Sequence, residues 1–247
     1  MVDFSLQQLL LLALIGFVAG IINGTVGGGS LLTYPFLVAI GVPPVYAAAT
    51  NTTGLSTGNV AALLPHIKTD LVDFRHWRRH AAATATGAII GGSLLIALPE
   101  RVFEFLVPIL LVIASVMMLL KPKVVTGIPT NPQRTLFALL GSGIYSGYFG
   151  PGQGVIAMAV LMRDGRLTMH QIIVIKNFVI SASNVVVATL FIATGHVLWI
   201  AACTLLLSVA GGGWFGAIWS KKLNPTALRW AVAAVGIISA VWFWFLR

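Results

Sequence analysis

Charge is what this 247-residue chain has least of. Asp, Glu, Lys and Arg together make up 9% of it, where a soluble domain carries about 25%. With 58% apolar residues and a mean hydropathy of +0.96, there is too little polar surface to coat a globule in water. That excludes an ordinary soluble domain and points to a polytopic membrane protein in a lipid bilayer. Acidic groups are scarcest, six Asp and Glu in all. None lies in the core of an apolar run, which argues against a carboxylate proton relay of the usual kind. The single cysteine, Cys203, excludes an internal disulfide and a thiol pair for redox work. No Lys or Arg precedes the first apolar run, so that run reads as a retained segment rather than a cleaved signal peptide.

The net charge of +9 would point to nucleic acid in a soluble protein. Here the basic residues sit in polar connections and read as topology signals, so no nucleic-acid partner is expected. Apolar runs cover about 6–40, 46–64, 80–98, 102–120, 135–162, 171–194, 197–219 and 226–246. Six fit a single span of roughly 20 residues. The first and fifth are longer and are interrupted by glycines. Lys68, Arg75, Arg78, Arg79, Lys121, Lys123, Arg134, Arg163, Arg166, Lys221, Lys222 and Arg229 fall in connections that the charge rule places in the cytoplasm. The fifth run therefore has both ends inside and the first has both ends outside. Each must turn back within the membrane, which places both termini on the periplasmic side.

The two interrupted runs are related. Gly24, Gly27 and Gly29 match Gly147, Gly150 and Gly152 at a spacing of 123. Beyond residue 50 the spacing becomes 125: Ser56 and Asn59 match Ser181 and Asn184, and Gly87 and Gly91 match Gly212 and Gly216. The expected fold is an all-α polytopic membrane protein of two inverted-topology repeats. Residues 1–122 and 123–247 are the repeats, each a broken-helix hairpin plus three transmembrane helices, within one integral membrane domain. Many secondary transporters place their substrate between such repeats, near the midplane.

The glycine turns "NGTVGGGS" (23–30) and "SGYFGPGQG" (146–154) lack the Gly-Lys-Ser/Thr ending of a nucleotide loop. At membrane depth the free amides that open a returning helix need partners, and an anion supplies them. Candidate substrate-binding residues on the turns are Asn23, Thr25, Gly27, Gly28, Gly29 and Ser30, with Tyr148, Gly150, Gly152 and Gln153 opposite. The spans that follow carry polar stripes at helical spacing. Thr52, Ser56 and Asn59 form one; Asn177, Ser181 and Asn184 form the other, and the repeat partners Asn51 and Lys176 stand one position before each as further candidates. Such stripes either line a path or glue helices together. Lys176 is the only Lys or Arg well inside a span. It reads as a countercharge for an anion or as a side chain snorkelling to the cytoplasmic surface. His66, Asp70, Asp73, His76 and His80 recur at helical spacing, but Phe74, Trp77 and the neighbouring arginines read as an interfacial helix. No metal and no cofactor is expected. The Gly87/Gly91 and Gly212/Gly216 pairs read as small-residue packing faces.

The stretch 16–51, "GFVAGIINGTVGGGSLLTYPFLVAIGVPPVYAAATN", resembles the TauE/SafE family of sulfite exporters and toluene-sulfonate-uptake permeases. "LVDFRHWRRHAAATATGAIIGGSL" (71–94) adds to the likeness, and "SGIYSGYFGPGQGVIAMAVL" (142–161) repeats it with Pro151 and Gln153 as departures. The resemblance implies a non-enzymatic carrier in the bacterial inner membrane, exporting a small sulfur-containing anion such as sulfite, thiosulfate or an organosulfonate by alternating access. The residues themselves support a small anionic substrate. An anion channel between the facing turns and a membrane-embedded enzyme are the alternatives. A homo-oligomer is compatible with either.

Overall fold

The computed structural model describes residues 4–67, 72–120, 130–219 and 222–245. Every regular element among them is helical. The order in the first half is α1 (Leu6–Thr25), α2 (Ser30–Ala39), α3 (Pro44–Leu63), α4 (Phe74–Ala97) and α5 (Glu100–Leu119). The second half repeats it with α6 (Pro132–Tyr148), α7 (Gln153–Leu161), α8 (Met169–Ala193), α9 (Trp199–Trp219) and α10 (Pro225–Phe245). Each half is thus a longer helix, a short one and three long ones, as the glycine-interrupted runs require.

Helix starts follow local chemistry. Ser5 and Gln8 form a capping box on α1, and Thr168 and Gln171 form one on α8. Asp73 accepts from the Arg75 amide at 2.9 Å at the start of α4. In the 163–166 connection Asp164 and Arg166 pair at 2.8 Å. That hydrogen bond holds the Asp164 carboxyl below its ordinary range. Asp70, Lys68, Lys121, Lys123, Lys221 and Arg247 lie outside the described residues.

Among the described residues six helices are long and apolar enough to cross a membrane: α1, α4, α5, α8, α9 and α10. The first interrupted run is a full-length helix, α1, followed by the short 10-residue α2, one of the two forms a glycine-broken run can take. The structure differs from the sequence expectation in one place. The run 46–64 does form a 20-residue helix, α3, but it is not among the six. Thr50, Asn51, Thr52, Thr53 and Asn59 dilute its apolar character. Burial explains why that is tolerated, since 16 of its 20 residues are buried and its polar groups meet protein rather than lipid.

The halves interlock. Helix α1 packs along α9, α6 along α4, α3 against both α8 and α9, α8 also against α4, and α5 against α10. Glycines make the closest crossings. A Cβ on Gly87 or Gly91 would fall on the carbonyl oxygen of Leu140 or Ile144, and one on Gly143 or Gly147 on that of Thr84 or Ala88. The α1–α9 crossing repeats this residue for residue. Gly212 and Gly216 abut the carbonyls of Phe17 and Ile21, while Gly20 and Gly24 abut those of Val209 and Gly213. All four pairs are related by the spacings of 123 and 125 read from the sequence. Small residues permit such backbone contact, which gives dispersion and polar attraction where lipid supplies no hydrophobic drive.

Candidate functional site

The site is built from the two breaks and the two most polar helices. Helix α1 ends when the Gly27 amide bonds the Ile22 carbonyl at 2.8 Å. Gly27 and Gly28 then take φ of 82° and 90°, a region that side chains with a Cβ rarely enter. The Asn23 Oδ1 accepts from the Gly29 amide at 2.8 Å, so the last turn of α1 caps the first turn of α2. In the second break Gly150 and Gly152 have φ of 94° and 91°. There the Tyr145 hydroxyl donates to the Pro151 carbonyl at 2.6 Å. The breaks meet face to face: a Cβ on Gly27 would lie 2.8 Å from the Gly154 Cα.

A small buried cavity lies where they meet. The first break contributes Asn23, Gly27 and Ser30, and α3 contributes Asn51, Thr52, Leu55 and Asn59. The second contributes Ser146, Gly150, Gln153 and Gly154, and α8 contributes Ile180 and Asn184. The space open to water-sized groups is about 30 Å³, against roughly 10–15 Å³ for one water. It suits a solute of a few heavy atoms. The lining holds amides, hydroxyls, backbone and the apolar Leu55 and Ile180, and no charged side chain. The Asn51 Oδ1 accepts from the Thr33 hydroxyl, which leaves its amide donors for other partners. The Gln153 Nε2 donates to the Ser183 Oγ at 2.9 Å, which leaves its carbonyl oxygen. The Ser146 Oγ is buried and has no hydrogen-bond partner, a state that costs about 1–3 kcal/mol unless something fills the space beside it.

Nine of the sequence candidates line the cavity: Asn23, Gly27, Ser30, Asn51, Thr52, Asn59, Gly150, Gln153 and Asn184. The other nine do not. The hydroxyls of Thr25, Ser56 and Ser181 donate to the carbonyls of Ile21, Thr53 and Asn177 on their own helices. Gly28 packs on Met118, Gly29 on the Ala19 backbone and Gly152 on Ala114. Tyr148 sits edge-on to Phe103. Lys176 neither faces the cavity nor snorkels. It is 0% exposed, and its Nζ donates to the carbonyls of Asn23 at 2.6 Å and Thr25 at 3.3 Å. The Asn177 Nδ2 donates to the Gly24 carbonyl at 3.2 Å. Both therefore hold the open end of α1. The sequence reading missed Ser146, Gly154, Leu55 and Ile180. The repeat carried the signal for three of them, since Ser146 is the partner of Asn23 at spacing 123 and Leu55 pairs with Ile180 at 125.

Against known proteins, the sequence matches the family described as sulfite exporter TauE/SafE over residues 12–243. This chain belongs to the TauE/SafE family. It is 29% identical over 238 residues to a probable membrane transporter protein of Haemophilus influenzae, covering 92% of this chain and 91% of that one. It is 30% identical over 233 residues to the probable membrane transporter protein YfcA of Escherichia coli K12, covering 89% of this chain and 82% of that protein. A probable membrane transporter protein of Sinorhizobium, ORF9, is 28% identical over 249 residues, covering 98% and 94%. No solved structure matches the chain. As a TauE/SafE member with six helices long and apolar enough to cross a membrane among its described residues, the chain is a multi-pass membrane protein of a transporter family.

Proposed function

We propose that this TauE/SafE protein is a secondary transporter that moves a small sulfur oxyanion across the bacterial inner membrane by alternating access. The observation that carries the reading is the small polar cavity between the two breaks, with the buried Oγ of Ser146, a residue of its wall, left unpartnered. Amides and hydroxyls suit the oxygens of an oxyanion, and no carboxylate lines the space to repel one. The sulfur assignment rests on the family description. The cavity size supports sulfite, thiosulfate or a short sulfonate over a bulky aromatic sulfonate. The membrane potential alone favours anion exit by about 2.3 kcal/mol per charge per 100 mV, which fits export. In proteoliposomes, flux of sulfite or methanesulfonate is expected to saturate and to show counterflow. Non-saturating flux without counterflow would favour a channel.

The same reading makes residues 1–122 and 123–247 inverted repeats. The matched glycine crossings, α4 with α6 and α9 with α1, support it. It predicts that single cysteines at Pro99 and Gly165, placed in a Cys203→Ser background, react with an impermeant thiol reagent from opposite sides of the membrane. Labelling from the same side would overturn the inverted arrangement.

A further inference from the structure

We infer that Lys176 tunes the cavity to solutes carrying a single negative charge. The inference rests on the anion reading above and adds the charge class of the substrate.

The cavity is nearly symmetric in sequence. Asn23 and Ser146, Gly27 and Gly150, Ser30 and Gln153, Leu55 and Ile180, and Asn59 and Asn184 are matched pairs that all line it. The match fails at two places. Gly154 lines the cavity while its partner Leu31 does not. Asn51 and Thr52 line the cavity from α3, while their partners Lys176 and Asn177 turn away and bond three successive carbonyls, those of Asn23, Gly24 and Thr25. These carbonyls end α1, where the helix dipole is negative and the last carbonyls lack helical partners. That explains how the fully buried Lys176 amine is held by backbone carbonyls. Asn23 joins the charge to the cavity. Its carbonyl holds the ammonium, while the residue itself forms part of the wall.

The charge count follows. Two helix C-termini and two N-termini meet at the breaks, so their dipole ends offset one another. No lining side chain is charged. Protonated, and held by the carbonyls of Asn23 and Thr25 at the negative end of α1, Lys176 supplies a surplus of one positive charge. Removing a solute from water costs energy that grows with the square of its charge, whereas attraction to a fixed cation grows only in proportion to it. A neutral solute gains nothing from Lys176. A monoanion brings the site to neutrality. A dianion leaves a net buried negative charge, which narrows the candidates above to hydrogen sulfite and short sulfonates and sets thiosulfate aside. Without the lysine the balance moves towards neutral solutes.

Dimethyl sulfone, methanesulfonate and sulfate test this, because they are tetrahedral sulfur compounds of similar size carrying zero, one and two negative charges. Binding is measured on the purified full-length protein in detergent and on Lys176→Gln. Wild type is expected to bind methanesulfonate at least about tenfold tighter than either of the others. The variant is expected to lose that peak and to bind the sulfone as well as the sulfonate. Sulfate or sulfone binding as tightly as methanesulfonate to wild type overturns the inference. So does a folded Lys176→Gln protein that keeps the wild-type ranking. If the variant does not fold, the wild-type series decides alone. Failure of all three compounds to bind overturns the anion reading itself, whereas binding without discrimination by charge overturns only the role given to Lys176.

Discussion

Gly91→Val is expected to abolish the folded protein in detergent, seen as loss of the monodisperse peak in size-exclusion chromatography. The cause is backbone, not side chain. A Cβ at Gly91 would fall on the Ile144 carbonyl oxygen and 2.7 Å from the Tyr148 amide nitrogen. Overpacking costs about 1–3 kcal/mol where side chains can shift aside. Two helix backbones cannot, so the cost lies at or above the upper end of that range. Tyr148 is also the last residue of α6, so any relief by moving α6 displaces Ser146 and Gly150 from the cavity wall. Gly141→Ala is the control. It lies on α6, the partner helix in the same crossing, nothing is within 4 Å of its added Cβ, and alanine favours helix by about 1 kcal/mol. Its thermal midpoint is expected to hold or rise. Equal behaviour of the two variants would show that the α4–α6 crossing is not the close contact described.

Asn23→Asp is expected to leave the fold intact and to remove anion binding. The carboxylate keeps an oxygen for the Gly29 amide, now bonded at 2.8 Å, so the cap on α2 survives. It also places a negative charge in the wall of a cavity proposed to take an anion, and next to Lys176. Like charges in contact cost several kcal/mol, so affinity is expected to fall by at least about 100-fold. The new carboxylate takes the place of the substrate as partner to Lys176, and the thermal midpoint of the unliganded variant is expected to match or exceed wild type. Asn23→Ala separates the two roles. It leaves the Gly29 amide unpaired, at about 1–3 kcal/mol, and its midpoint is expected to drop. If Asn23→Asp retained wild-type affinity, Asn23 would not belong to the binding site.

Much of the fold was legible because a membrane leaves few options. Backbone groups must be satisfied internally, so long apolar runs had to be helices. Two runs too long for one span, each interrupted by glycines, break at those glycines into a longer and a shorter helix. The Gly87/Gly91 and Gly212/Gly216 pairs read as packing faces, and both lie at close helix crossings. What composition could not resolve was which polar residues face a cavity and which face each other. Ser56 and Asn59 share a stripe, yet the Ser56 hydroxyl turns to the Thr53 carbonyl while Asn59 lines the cavity. Helical spacing fixes a face; the rotamer and the nearest carbonyl decide the rest. Lys176 is the sharpest case. Its partners are the carbonyls of Asn23 and Thr25, more than 150 positions away in sequence. No periodicity within α8 encodes that contact. The packing of the second half against the first break creates it.

The central claim is that the cavity between the two breaks is where a small oxyanion binds. The most direct test is the thermal stability of wild type and Asn23→Asp in the presence of sulfite, thiosulfate, methanesulfonate, acetate and phosphate. A ligand that binds only the folded state stabilises it by about 2.7 kcal/mol at one hundred times its dissociation constant, which is visible as a rise in the midpoint. Wild type is expected to be stabilised by at least one of the sulfur oxyanions and Asn23→Asp by none. A wild-type midpoint unmoved by every anion, or an equal rise in both proteins, would contradict the account.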